Sequence, residues 1–112
     1  MTQEPELLLL DEPTAHLDIS HKITVLDLIK KLNKELNLTV LIVLHDLNLA
    51  SEYCDRIILL SNGKIHQMGK PDEVLSYNTI EKVYDTVVVI DKNPVSKKPY
   101  VFFVSGEYRR NI

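Results

Sequence analysis

Asp11 and Glu12 are adjacent carboxylates that follow Leu7-Leu8-Leu9-Leu10 and precede Pro13. Two acids at one point can divide a hydrolytic task, one holding a hard cation and the other facing a reacting water. If the chain stays extended through both, their side chains point to opposite sides, so they cannot do the same job. A third candidate is His45, at the end of a later apolar run and followed by Asp46. A lone histidine is more often a structural imidazole bonded to a loop carbonyl. One that follows a buried strand and adjoins a helix-capping Asp sits instead where a sheet presents side chains to a ligand.

The elements that must position these residues are legible from hydrophobic patterning. Leu7–Leu10, apolar without alternation, reads as a strand covered on both faces, as in a parallel sheet, with its charge at the tip. Pro13 lacks a backbone donor and ends the ladder, releasing Thr14 to Asp18 as a loop. Val25, Leu26, Ile29, Leu32 and Leu36 then fall on one helical stripe, with Lys22, Asp27, Lys30, Lys31 and Lys34 largely off it. That spacing predicts an amphipathic helix over about 20–36, capped by Asp18 or Ser20. Asn37 closes it, and Leu38–Leu44 is a second buried strand. Strand, helix and strand make a βαβ unit that places both tips at one edge, so His45 is expected beside Asp11 and Glu12.

Further on, Leu47, Ala50, Tyr53 and Cys54 suit a short helix packed on the sheet, and Arg56–Leu60 a third strand. Ser61-Asn62-Gly63-Lys64 predicts a tight hairpin turn, since Asn-Gly tolerates positive φ at both central positions. Ile65–Met68 is expected to run back antiparallel. Pro71 opens one short helix, with Asp72 and Glu73 at its positive end, and Thr79–Tyr84 forms another after Asn78. Val87–Ile90 and Tyr100–Val104 read as a terminal hairpin, with Asp91–Pro99 as a loop kept irregular by Pro94 and Pro99. Tyr100, Phe102 and Phe103 are expected to cover the sheet rather than to stack bases.

Leu7–Glu12 with Pro13-Thr14-Ala15-His16-Leu17-Asp18 resembles the Walker B strand, catalytic glutamate and D-loop of ABC-type ATPases. His45-Asp46 is similar to their switch histidine. Leu44–Asn48, Tyr53–Arg56 and Gly69-Lys70-Pro71 resemble the subgroup that powers bacterial uptake of iron-siderophores, haem or cobalamin. The resemblance extends over nearly the whole chain. It implies an α/β fold, a P-loop NTPase-like parallel sheet with flanking helices, plus C-terminal antiparallel hairpins. It also implies ATP and Mg2+ as cofactors, with Asp11 holding Mg2+ through its water shell. Glu12 would polarise the attacking water, and His45 would contact the γ-phosphate and that water. Ala15, His16, Leu17 and Asp18 would line the interface with a second ATP-binding subunit. Transmembrane permease subunits are the further partners implied, with the chain cytoplasmic and peripheral on the inner face of the cell membrane. For Asp18, helix capping is the plainer alternative.

Glycine occurs only at 63, 69 and 106, so no Gly-x-x-x-x-Gly-Lys-[Ser/Thr] loop is present. The chain cannot cradle a triphosphate by that means. The signature motif and Q-loop that the family carries before its Walker B strand are missing too. The chain is therefore expected to be the C-terminal portion of a nucleotide-binding subunit, truncated and lacking the phosphate-loop strand, and inactive alone. Residues 1–70 would be the end of the ATPase core and 71–112 a helical and β-hairpin extension packed on it. In the family's sheet the missing strand lies between the strand ending at His45 and that of Arg56–Leu60. Its loss is expected to leave a gap or unpaired edges, and with them strand exchange, self-association or partial disorder.

At 112 residues, 45% hydrophobic and 26% charged, the chain has the composition of one small globular domain. A net charge of −3 gives no electrostatic case for nucleic acid as a partner. The longest apolar run falls far short of the roughly 20 residues of a membrane helix, so no direct membrane insertion is expected. Glu4 and Glu6 argue against a signal segment. Cys54 stands alone, so no internal disulfide forms, and packing is the simpler role for its thiol. Two other readings compete: a non-catalytic module docking on a permease or nucleotide-binding partner, and part of a soluble ABC-type ATPase. A metal site of His16, Asp18 and His21 is disfavoured, because capping explains these residues more simply.

Overall fold

The computed structural model describes residues 6–111. The chain forms two compact units, one ending at His45 and one beginning at Asp46. The residues quoted above from positions 1–5 lie outside the described part.

In the first unit, β1 (Leu7–Asp11), α1 (Ile19–Glu35) and β2 (Thr39–Val43) make the expected βαβ unit. The two strands pair in parallel, from Leu7 opposite Thr39 to Asp11 opposite Val43. The ladder continues past β1, since the Glu12 amide donates to the Val43 carbonyl at 3.0 Å. Asp18 is the helix N-cap, its carboxylate accepting the His21 amide at 2.9 Å. At the other end the Leu36 amide bonds back to Leu32, Asn37 takes a left-handed φ of 50°, and the Asn33 side chain donates to the Leu38 carbonyl. This closure sends the chain directly into β2.

The expectation that both strands are covered on both faces is corrected. Leu7, Leu9, Leu41 and Val43 are exposed, Leu9 to 64%, whereas Leu8, Leu10, Val40 and Ile42 are half-buried. Side chains alternate between faces along a strand, and among the described residues only one face of this ladder is shielded.

The second unit carries α2 (Leu47–Tyr53), β3 (Ile57–Ser61), β4 (Lys64–Gly69), α3 (Pro71–Val74), α4 (Tyr77–Tyr84), β5 (Val88–Lys92), β6 (Pro99–Phe103) and a closing 3₁₀ turn, Gly106–Asn111. The β3–β4 hairpin turns through Asn62 and Gly63 at φ 53° and 75°, the conformation that Asn-Gly was expected to supply. A bulge interrupts its register between Leu59 and Leu60. Ile57, Leu59, Val74, Leu75, Ile80, Val88 and Val101 form the core, with Leu47, Ala50, Cys54, Val83 and Ile90 packed at its margin.

Several boundaries differ from expectation. The helix of α4 starts earlier because the Ser76 hydroxyl, rather than a group near Asn78, accepts the Thr79 amide. Asp91, Lys92 and Pro99 belong to strands, Pro99 taking the first place of β6, where a missing donor is tolerated. Tyr100, Phe102 and Phe103 do not cover the sheet: they are exposed, and the inward residues of that hairpin are Val88 and Val101. The aromatic rings contact one another, Tyr100 with Phe102 at 4.7 Å, and Phe103 meets Tyr84 edge-on. The described strands pair as three separate two-stranded ladders, β1–β2, β3–β4 and β5–β6.

Candidate functional site

β1 ends at Asp11, which is exposed, and the backbone of Glu12 turns to a left-handed φ of 46°. The backbone therefore leaves the extended conformation at Glu12 rather than running as a strand through both acids. The loop that follows is compact. The Ala15 amide donates to the Glu12 carbonyl and the Leu17 amide to the Thr14 carbonyl, both at 3.2 Å, while His16 adopts φ 67°.

The Glu12 carboxylate is held from both sides. One oxygen accepts the backbone N–H of His45 at 3.1 Å, and the other accepts the Thr14 hydroxyl at 3.0 Å. Thr14 is itself only 2% exposed. Partial burial acts to raise the carboxyl's pKa. The His45 amide, the Thr14 hydroxyl, the imidazole charge of His45 and the Thr14 amide outweigh it, and the group lies below the usual glutamate value. At neutral pH Glu12 is thus an ionised acceptor, able to orient a water but not to donate a proton.

Sequence reasoning places His45 beside the acids, and the structure brings Glu12 and the main chain of His45 together at the tips of β1 and β2. The imidazole is exposed. Asp46 then caps α2, its carboxylate accepting from Asn48 and Leu49 at 2.9 and 3.1 Å, as expected. Ala15 and His16 are exposed and Leu17 is half-buried. Asp18 is engaged within its own helix start, accepting the His21 amide, the His21 ring at 2.7 Å and the Ser20 hydroxyl at 3.0 Å. Those three bonds hold its carboxyl below the ordinary aspartate value.

Among the described residues, no group of three or more His, Cys, Asp or Glu side chains converges to hold a metal ion. Asp11 nevertheless suits Mg2+, which keeps most of its waters and takes one or two carboxylates alongside substrate phosphates rather than an all-protein cage. A shallow hollow of about 290 Å³, lined by Leu9, Leu10, Asp11, Leu41 and Val43, opens next to that carboxylate.

Thr14 escaped sequence reasoning. No local pattern announces it, because its side-chain bond to Glu12 depends on the left-handed turn at Glu12.

No family model matches the chain. The petrobactin import ATP-binding protein FpuC of Bacillus anthracis is 41% identical over 100 residues, which are 89% of this chain and 36% of that protein. The ferric enterobactin transport ATP-binding protein of Escherichia coli is 44% identical over 101 residues, 90% of this chain and 37% of that protein. A cobalamin import ATP-binding protein of Halobacterium salinarum is 36% identical over 96 residues, 86% and 24% respectively. The chain thus spans little more than a third of the length of the first two relatives. Among solved structures, a metal-chelate type ABC transporter in an inward-facing conformation shares the fold, with TM-score 0.78 at 22% identity over 91% of this chain and 42% of that one. The cbiO1 component of the cbiONQ ABC transporter complex from Clostridium perfringens gives TM-score 0.59 at 33% identity, over 70% and 31%.

Proposed function

Because the chain is homologous over most of its length to part of the ATP-binding subunits of ABC transporters, we propose that it supplies the water-activating half of an ATPase site that energises an importer. The observation that carries this reading is the Glu12 carboxylate at the tip of β1, fastened at 3.1 Å to the main chain of His45 at the tip of β2. Two strands paired in parallel thereby bring an ionised acid and an exposed imidazole to one rim.

Phosphoryl transfer to water asks a protein for positioning and for stabilisation of charge spread over the transferred group. Glu12, ionised and held on both oxygens, orients the attacking water through its remaining lone pairs. His45 meets the terminal phosphate and the same water through its ring. Asp11 is the carboxylate that would hold Mg2+, which would supply neutralisation of phosphate charge there. Ala15, His16 and Leu17 face a second ATP-binding subunit, with Asp18 fixing the end of that loop by capping α1. Residues 1–70 correspond to the end of the ATPase core and residues 71–112 to an extension upon it.

The partners are a second ATP-binding subunit and the permease subunits of the importer. The cargo follows the relatives' names, an iron-siderophore or cobalamin. Among the described residues no helix is long and apolar enough to cross a membrane, so contact with the inner face of the membrane is made through the permease. With no phosphate loop in its sequence, the chain alone neither binds ATP tightly nor hydrolyses it.

The test is to substitute this chain for the matching portion of the ferric enterobactin relative and to measure phosphate release from Mg-ATP, beside the 112-residue chain alone. The chimera turns over and the isolated chain does not. Turnover by the isolated chain, or a folded chimera that binds ATP without hydrolysing it, contradicts the proposal.

A further inference from the structure

Glu12 carries two burdens that pull against each other. Its backbone sits in the left-handed region at φ 46°, a conformation strained for an L-residue. Its carboxylate must nevertheless keep one orientation if it is to aim a water. An exposed glutamate has three free side-chain torsions, and the His45 amide fixes only one of the two oxygens. The second oxygen is fixed by Thr14, whose hydroxyl donates at 3.0 Å.

Thr14 is suited to this in ways a solvent-exposed hydroxyl is not. It is almost wholly buried, so its hydroxyl cannot exchange the carboxylate for bulk water without leaving a buried donor unsatisfied. It is β-branched, which restricts its χ1 and so the place its Oγ1 can occupy. Among the described residues no buried side-chain nitrogen or oxygen lacks a hydrogen-bond partner. The turn is also closed independently by the Ala15 and Leu17 amides, so the Thr14 hydroxyl is not needed to form it. A carboxylate offers about four lone-pair directions. Two donors on different oxygens, one from each strand tip, fix its plane and leave the other directions open to water.

We propose that Thr14 is a positioning residue for Glu12, its buried hydroxyl setting the carboxylate plane that the His45 amide alone leaves free to rotate. The functional value of this placement rests on the reading of Glu12 as the water-orienting acid; the placement itself is testable on the chain without nucleotide.

The test compares Thr14→Val, Thr14→Ser and Glu12→Ala in the 112-residue chain by amide NMR at pH 7. The readout is the proton shift of the His45 amide, which reports its bond to the Glu12 carboxylate. Thr14→Val, isosteric but without the donor, moves this signal upfield towards its position in Glu12→Ala. Thr14→Ser restores it, and Thr14→Val changes nothing further on the Glu12→Ala background. An unmoved His45 amide in a folded Thr14→Val chain, or no recovery in Thr14→Ser, overturns the proposal. Should Thr14→Val fail to fold, the wild-type chain decides: a Thr14 hydroxyl proton protected from solvent exchange, with protection lost in Glu12→Ala, is expected, and a freely exchanging hydroxyl overturns it. None of these readouts depends on ATP, so a failed ATPase assignment and a failed positioning assignment are distinguished.

Discussion

The Glu12 carboxylate accepts the backbone N–H of His45 at 3.1 Å across thirty-three positions of sequence. This bond joins the end of one parallel strand to the end of its neighbour, so it reports both the topology and the candidate chemistry. Glu12→Ala removes it together with the Thr14 bond. The expected loss is about 1.5 kcal/mol or more, from the lower end for a bond to a charged acceptor because the site is only half-buried. Urea unfolding followed through the amide signals of β1 and β2 measures it, and an unchanged midpoint counts against the tie.

Asp18 makes acid stability a test of the α1 cap. Its folded carboxyl lies below the ordinary value of 3.8 because the His21 amide, the His21 ring and the Ser20 hydroxyl favour the ionised form. A depressed folded pKa contributes stability that is complete above the unfolded value and is lost as pH falls through the folded value. The wild-type chain should therefore lose this contribution progressively as pH falls from 3.8 towards the lower folded value, whereas Asp18→Asn lowers thermal stability at pH 7 and flattens the acid limb. Circular dichroism melts between pH 7 and pH 2 check both.

Asn48 acts as a surrogate strand edge. Its side chain accepts the Val101 amide at 2.7 Å and donates to the Val101 carbonyl at 3.1 Å, locking α2 to β6 across fifty-three positions. Asn48→Ala leaves both backbone groups of a buried residue without these partners, at a cost of about 1–3 kcal/mol. Hydrogen exchange at the Val101 amide accelerates if this is right and is unaffected if the pair is incidental.

The elements that set the site were legible because their signals are local. The apolar run before Asp11, the helical stripe, the Asp46 cap and the Asn62-Gly63 turn each depend on residues within a few positions. The Thr14 and Asn48 bonds were not legible: the first needs the left-handed turn at Glu12, which nothing in Asp-Glu-Pro demands, and the second needs two elements brought together from afar. Exposure was misjudged for a related reason. A continuous leucine run states that both faces of a strand suit an apolar environment, and it cannot say which residues of this chain provide one.

That exposed face makes its own prediction. Leu7, Leu9, Leu41 and Val43 lie together on a two-stranded ladder, and apolar surface of this kind drives association. The purified chain is expected to self-associate at micromolar concentration, and Leu9→Lys with Leu41→Lys to reduce that association while the parallel ladder persists. Sedimentation velocity separates the outcomes; a monodisperse wild-type monomer contradicts the expectation.

Whether Glu12 orients the attacking water is decided by Mg-ATP turnover of the chimera that carries this chain in an ABC importer subunit, with Glu12 and with Glu12→Gln. The substitution is expected to lower turnover by about 10²-fold or more while ATP binding is retained. Turnover within a fewfold of the parent chimera would place the water-orienting acid elsewhere.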